Sequence, residues 1–559
     1  MEETLYTAVE EALKEQGVTD TRFVIEWPAE LSHGDYATNA ALSASKALGK
    51  NPRELADVLA ESLRTKLDGV VEDISVAGPG FINFTLTRDS VVKQIQDIEK
   101  NPSWGTGKSL EGKRVMVEYS NPNPFKEIHI GHLMSNVVGE ALSRIIENAG
   151  AHTLRDTFGG DVGPHVAKAL WALKKNGVTD IGNASEIGKA YIQGSNAYEE
   201  NEETKKEIDE LNTRIYDVVG KQDESTKFSS EDSELLALWR KGREVSMEEF
   251  SRIFKILGTS FDYTFYDSDT TKVGMEKVRE GVTTGVFEES EGAVVYKGEK
   301  KGLHTLVFIT SRGTPTYETK DIGLAYLKEE KIETDENIII TAVEQIGHFN
   351  VVLAALEEIA PALARKTKHV PHGLLRLTEG KMSSRKGNII TGAELIDTLI
   401  EKAGEKNPDP LIAQQVAIGA IKYMILRSAP GGDIIFDPEK SLSLDGDSGP
   451  YLQYALVRAA SLIAQASEQG DATVGKESSD LERLLIRFPE VLKRSRIEQA
   501  PHKVIQYLTL LASEWNSFYA QGKILGSEGE SYKLSIAKAF VATMKHGLSV
   551  LAIPTPERM

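Results

Sequence analysis

The sequence predicts an α/β protein: a doubly wound (Rossmann-like), mostly parallel sheet at its centre, an N-terminal α/β domain before it, and a C-terminal all-α bundle after it. Three observations carry this. The 559 residues are too many for one hydrophobic core, and at roughly 100–200 residues per domain three or four units are expected. Short β-rich runs alternate with helical ones between Lys113 and Leu377, as in a sheet with helices on both faces. From about Leu411 onward the pattern is helical almost throughout.

The elements follow in order. Residues 1–110 read as an α/β unit. A helix carrying Leu5, Val9 and Leu13 leads to the run Arg22-Phe23-Val24-Ile25-Glu26-Trp27. A second helix is expected from about Asn51 to Lys66, with Pro52 in its first turn. The turn in Val76-Ala77-Gly78-Pro79-Gly80 then feeds the β-like alternation Phe81-Ile82-Asn83-Phe84, and Asn101–Gly112 reads as a linker. Residues 111–400 form the central domain. Arg114–Tyr119 is a strand; after a loop, Leu133, Val137, Ala141 and Ile145 share one helix face, closed by Gly150. Further alternation is expected at Leu303–Ile309, Tyr317–Lys328, Ile338–Val343 and Leu374–Leu377, with a polar, helical insertion at about 171–300. Residues 401–559 are expected to be a bundle, broken by Pro430-Gly431-Gly432, by the loop Glu468–Asp480 and by Pro501.

Composition narrows the classes of function. There is no cysteine, which excludes disulfide staples, thiolate metal sites and a cysteine nucleophile, and suits a cytoplasmic protein. Apolar runs fall short of the ~18–20 residues a membrane helix needs. Met1-Glu2-Glu3 lacks the basic start of a secretory signal. The net charge of −19 counts against indiscriminate nucleic-acid binding, so any RNA contact must rest on local features.

Two segments carry chemistry. In Glu118-Tyr119-Ser120-Asn121-Pro122-Asn123-Pro124-Phe125-Lys126-Glu127-Ile128-His129-Ile130-Gly131-His132 a strand ends and a helix opens on two histidines flanking Gly131. A helix start offers free N–H groups and a positive dipole end to a phosphate, and Gly131 permits close approach. His129 and His132 face one side of the first turn and can donate to a triphosphate. The plainer reading is two histidines capping a helix, at even odds for so short a motif. A metal is not expected, because no third ligand stands nearby. In the second segment, Lys381-Met382-Ser383-Ser384-Arg385-Lys386, three cations share a Gly- and Ser-bearing loop suited to closing over a polyanion. Alone it reads as an ordinary basic surface loop; paired with the first segment it does not.

His129-Ile130-Gly131-His132 together with Lys381-Met382-Ser383-Ser384-Arg385 resembles the signature pair of the class I aminoacyl-tRNA synthetases. The approach Ser120–Lys126 is similar to that of one family, the arginyl-tRNA synthetases. Gly34–Asn39 and Gly78–Phe84 resemble its tRNA-elbow domain, and Gly449–Ala455 with Pro556–Met559 its anticodon-binding domain. The resemblance implies a catalytic domain that activates arginine with ATP and Mg²⁺ and loads it onto the 3′ end of its tRNA, in a protein expected to be a monomer. It also implies roles. His129, Gly131, His132, Lys381, Met382 and Ser383 would bind ATP, with Lys126 and Arg385 adding charge at the reacting phosphates. Glu118, Asn123, Tyr317, Asp321, Gln345 and Asp267 would bind arginine. Asn39, Phe81, Asn83, Tyr451, Gln453, Arg458, Trp515, Tyr519 and Met559 would meet tRNA. A carboxylate and a phenol one helical turn apart, as at Tyr317 and Asp321, make a chemically sound guanidinium receptor.

The chain departs from the family pattern in places. Ser384 stands where a second lysine is common, and Lys126 is expected to supply that charge; Asp267 stands where a glutamate is usual; Gly160-Asp161-Val162-Gly163 lacks the usual tryptophan. Three rivals remain: a small-molecule nucleotidylyltransferase or ligase, a sibling synthetase for glutamate or cysteine, and a catalytically dead paralogue that only binds tRNA or a protein partner.

Overall fold

The computed structural model describes residues 1–28, 33–221, 227–377, 391–466, 471 and 473–559. The N-terminal elements are α1 (Glu2–Glu15), β1 (Ile25–Glu26), β2 (Tyr36–Thr38), α2 (Ala40–Leu48), α3 (Pro52–Lys66), β3 (Val71–Ala77), β4 (Phe81–Leu86) and α4 (Arg88–Lys100). The four strands form an antiparallel sheet in the order β1-β2-β4-β3. Helix α3 starts where its chemistry dictates: the Asn51 side chain accepts from the Arg53 N–H, and Pro52 needs no partner at the first position. Leu5, Val9 and Leu13 of α1 pack with Leu55, Leu59 and Leu63 of α3 over Ile82 and Phe84.

The central domain runs β5 (Arg114–Glu118), α5 (Ile130–Asn148), β6 (His152–Gly159), α6 (Pro164–Lys175), α7 (Ala184–Glu200), α8 (Glu202–Gly220), α9 (Ser230–Leu257), β7 (Tyr263–Tyr266), α10 (Asp267–Thr283), β8 (Glu288–Ser290), β9 (Ala293–Tyr296), β10 (Leu306–Ile309), α11 (Tyr317–Lys331), β11 (Glu336–Ala342), α12 (Ile346–Ile359), α13 (Pro361–Lys366), β12 (Thr367–His372) and β13 (Leu375–Leu377). Five strands make an all-parallel sheet in the order β12-β11-β5-β6-β7. The chain builds outward from β5 to β7, then returns to lay β11 against the other edge of β5. The order therefore reverses between β5 and β11, and the crevice beyond their carboxyl ends is where such sheets bind ligands.

Two expectations about this domain need correction. The block at about 171–300 is not a helical insertion throughout, because β7 within it is an edge strand of the parallel sheet. Its four residues are too few to show a period. Leu306–Ile309 is a strand, but it pairs with β9 and β8 in a separate three-stranded antiparallel sheet.

The last elements are α14 (Gly392–Lys406), α15 (Pro410–Leu426), β14 (Ile434–Phe436), α16 (Pro438–Ser441), α17 (Gly449–Ala464), α18 (Asp480–Ile497), α19 (His502–Ala520) and α20 (Glu530–Val550). β14 pairs in parallel with β13. The chain divides into two compact units. One joins residues 1–106 to 454–494 and 507–547; the other holds 107–453, 495–506 and 548–559.

Within the first unit, buried charges hold the N-terminal domain to the late helices. Glu490 accepts from the Tyr36 hydroxyl at 2.9 Å and from Trp27 Nε1 at 2.6 Å. The Arg494 guanidinium lies 4.3 Å from the Trp27 ring centroid. Arg88 pairs with Glu482 at 2.7 Å, and Arg483 with Asp35 at 2.9 Å. Within the second unit, the buried Lys422 donates to the carbonyls of Leu257 (2.5 Å) and Ala552 (2.6 Å).

Candidate active site

The site begins with strained backbone. Between β5 and α5, Ser120, Asn121 and Phe125 adopt the left-handed region at φ 74°, 48° and 67°. Such residues persist only where their surroundings over-determine them. Here they do. The Ser120 N–H donates to Ser135 Oγ (2.9 Å), and the Phe125 N–H donates to Ser246 Oγ (3.1 Å). Asn121 is held three ways: its N–H donates to Thr157 Oγ1, its Nδ2 to Glu118 Oε1, and its Oδ1 accepts from the Phe158 N–H. Asn123 Oδ1 accepts from the Gly160 N–H at 2.9 Å, in a space that admits no side chain; a Cβ on Gly160 would fall 2.5 Å from that oxygen.

The loop delivers the two histidines to the start of α5. His129 is its N-cap and its Nδ1 accepts from the Gly131 N–H at 3.1 Å; His132 Nδ1 accepts from the His129 N–H at 3.2 Å. The rings stack with centroids 3.7 Å apart. Desolvation, reinforced by Lys126, lowers both imidazoles below their ordinary range, and His132 the further. Neutral rings whose Nδ1 accepts must carry their proton on Nε2. Both side chains are thus caps and, at the same time, Nε2–H donors beside a cavity.

That cavity, about 670 Å³, opens at the sheet's topological switch. Of the residues singled out from the sequence, it gathers Glu118, Asn123, His129, Gly131, His132, Asp267, Tyr317, Asp321 and Gln345. Lys126 does not line it; its ammonium lies 4.8 Å from the ring centroid of Tyr191 on α7. Lys381, Met382, Ser383 and Arg385 lie outside the described residues.

Three of the acids that line the cavity, Glu118, Asp267 and Asp321, are already paired. Lys328 bridges Glu118 at 2.6 Å and Asp156 at 2.7 Å, all three buried. Burial pushes Asp156 up to about 7 against the pull of Lys328. Lys320 meets Asp267 at 2.6 Å, and burial drives that carboxyl up to about 7 as well. Asp321 bonds His348 Nε2 at 2.5 Å, and Glu318 approaches His348 Nδ1 at 3.3 Å. Burial opposes a charge on His348, yet these two carboxylates outweigh it and push the imidazole up to about 10.

Sequence reasoning gave no role in the site to Lys328, Lys320, Asp156, Glu318, His348 or Tyr191. One signal was present: Glu318 and Asp321 are three apart on a helix, hence on one face. Nothing local marks the lysines, whose partners lie far away in the chain.

The residues assigned to tRNA divide by exposure. Arg458 is exposed, its guanidinium 4.0 Å from the half-buried Tyr519 ring centroid; Phe81, Asn39, Tyr451 and Met559 are half-buried. Three expectations are corrected. Trp515 is fully buried and stacks on Phe540 at 4.7 Å, so neither face is open to a base. Gln453 is fully buried and donates to the carbonyls of Gln415 and Pro554. Asn83 is buried within β4. A helical or strand pattern marks which positions face inward only when its neighbours are known.

Comparison with known proteins agrees with the geometry. Residues 94–437 match the family described as tRNA synthetases class I (R), catalytic domain. Residues 3–86 match the arginyl tRNA synthetase N terminal domain, and residues 452–559 the DALR anticodon binding domain. A switch-point cavity fronted by capping histidines, on this catalytic fold, defines a class I tRNA synthetase. The arginine–tRNA ligase of Clostridium perfringens is 30% identical, with 96% of each chain covered. That of Treponema pallidum is 29% identical over 97% of this chain and 96% of its own. Among solved structures, the Thermus thermophilus arginyl-tRNA synthetase matches with a TM-score of 0.81 at 26% identity, with both chains covered in full. The chain belongs to the arginyl-tRNA synthetase family.

Proposed function

We propose that this protein is an arginine–tRNA ligase: it joins arginine to ATP as the adenylate, releasing pyrophosphate, and passes the arginyl group to the 3′ end of its tRNA. One observation carries the reading. A single cavity is lined both by the two histidines of a capped helix start and by a phenol and a carboxylate one helical turn apart.

The roles follow from chemistry. His129 and His132 donate to the triphosphate, and the positive end of the helix dipole favours its charge. Tyr317 and Asp321 receive the guanidinium, Asp321 with its carboxylate and Tyr317 with its ring and hydroxyl. Asn123, Gln345 and Glu118 hold the α-ammonium and carboxylate. Asp267 acts at one remove, because its charge is taken by Lys320. Lys126, Lys381 and Arg385 neutralise the departing pyrophosphate, and Met382 and Ser383 belong to the ATP site. Among the described residues no group of three or more histidines and carboxylates is placed to hold a metal ion. The Mg²⁺ of the reaction is taken to travel on the nucleotide's own phosphates. Arg458, Tyr519, Tyr451, Phe81, Asn39 and Met559 remain the tRNA contacts proposed. We take the protein to be a cytoplasmic monomer.

The test is ATP–pyrophosphate exchange with each amino acid in turn, with and without tRNA. Exchange specific to arginine is expected; exchange with a different amino acid would overturn the guanidinium site, and none at all would favour a binding-only relative.

A further inference from the structure

Asp321 is the carboxylate best placed for a guanidinium, yet it is not free. His348, in the first turn of α12, puts Nε2 2.5 Å from Asp321 Oδ2 and Nδ1 3.3 Å from Glu318 Oε1. Glu318 and Asp321 stand on one face of α11, so the ring is clamped at both nitrogens by two acids of one helix. A ring with N–H donors at both nitrogens is a planar, delocalised cation, and so is the arginine side chain. His348 itself lines the cavity beside Tyr317 and Gln345.

We propose that His348 is a specificity-determining residue that holds the place of the arginine guanidinium at Asp321 and gives up that carboxylate when arginine binds. The proposal rests on the reading of Tyr317 and Asp321 as the guanidinium receptor.

Charge decides the outcome. Between Asp321 and Glu318 the imidazole is pushed up to about 10, so it starts as a cation. Two planar cations on one carboxylate repel each other, and like charge at such range favours loss of a proton from the weaker base. A guanidinium does not give up its proton in a protein, so the imidazolium does. The step balances: arginine enters as a cation, the His348 N–H bond breaks, its electron pair stays on the ring, and the proton passes to buffer. The surrounding groups do not alter this. Glu118 on β5 and Asp267 on α10 add negative charge near Asp321. His369, on β12, is lowered to about 4 by burial and stays neutral; His372 is also lowered by burial. His304 stands against Gly347, its Nε2 3.6 Å from where a Cβ would lie. The device disfavours a neutral isostere such as citrulline, which brings no charge to displace the imidazolium from Asp321. It is a filter for charge as well as shape.

The experiment is calorimetric titration of the full chain with L-arginine near pH 7.5, in two buffers of different ionisation enthalpy, whose difference counts protons exchanged. The wild type is expected to release about one proton per arginine. His348→Gln, with no ring to deprotonate, is expected to release none and to bind arginine at least as tightly. Glu318→Gln, which loosens only one end of the clamp, is expected to reduce the release and serves if His348→Gln does not fold. Arginine binding with no proton release, or a release that survives in His348→Gln, overturns this proposal and leaves the arginine site standing. Binding of a different amino acid in place of arginine overturns both.

Discussion

Replacing Lys328 by methionine removes the cation shared by Glu118 and Asp156 while nearly preserving volume. The variant must either bury an uncompensated carboxylate or protonate it, and protonation sets the upper limit of the cost. Asp156 is already pushed to about 7 by burial, so its neutralisation adds little that the wild type does not bear. Glu118 carries the difference. Protonating a glutamate that is ionised in the unfolded chain costs about 3.7 kcal/mol at pH 7 and about 1 kcal/mol at pH 5. This agrees with the roughly 3–5 kcal/mol seen when one partner of a buried pair is removed. The sign follows from linkage. In the variant the acid titrates higher in the folded chain than in the unfolded one. The penalty therefore grows with pH from the unfolded value up to the raised folded one, and fades as pH falls back towards the unfolded value. At roughly 2 °C per kcal/mol for a large unit, melting of the unit that holds the sheet should fall by about 7 °C at pH 7 and about 2 °C at pH 5. Scanning calorimetry of wild type and variant at the two pH values measures this. A deficit equal at both, or larger at pH 5, would refute the assignment of Lys328 as the neutralising cation.

Three other outcomes follow from the geometry. Trp515→Ala should cost about 3–5 kcal/mol through the cavity it leaves beside Phe540; a fully stable variant that only binds tRNA more weakly would restore Trp515 to the RNA surface. Gly160→Ala sets a Cβ 2.5 Å from Asn123 Oδ1 and breaks the clip between loop and sheet. Pyrophosphate exchange should drop roughly tenfold, the worth of one hydrogen bond, and unchanged exchange would show that the loop holds without it. Lys422, lowered to about 7 by burial, binds fewer protons folded than unfolded between there and its ordinary value near 10.4. Wild-type stability should rise by up to about 1.4 kcal/mol per pH unit across that window, and Lys422→Met should abolish the rise; a slope unchanged in the variant would disprove it.

Local pattern carried much of the fold into view. Asn51-Pro52 announced α3, and the run ending at Glu118 announced the strand that leads into the site. β7, four residues long, and β14, three, were not legible, because the period of so short a strand cannot be told from chance. In the site the legible residues were those with a motif around them, such as His129 and His132. Lys328 was not, since its partner Glu118 lies 210 residues away in sequence. Trp515 misled for the converse reason: an aromatic on a helix looks alike whether its face meets solvent or Phe540.

The seam between Arg88 and Glu482 has a consequence for how the chain is made. These partners are 394 residues apart. At a synthesis rate of about 5–20 residues per second, Arg88, Asp35 and Trp27 leave the ribosome roughly 20–80 s before the helix that receives them exists. During that interval the first domain has its own apolar centre but an unfinished face, on which Asp35 and Tyr36 lack Arg483 and Glu490. The earliest-made part of the protein is thus completed by nearly the last, and a nascent chain stalled in between leaves that face open to holding by a chaperone.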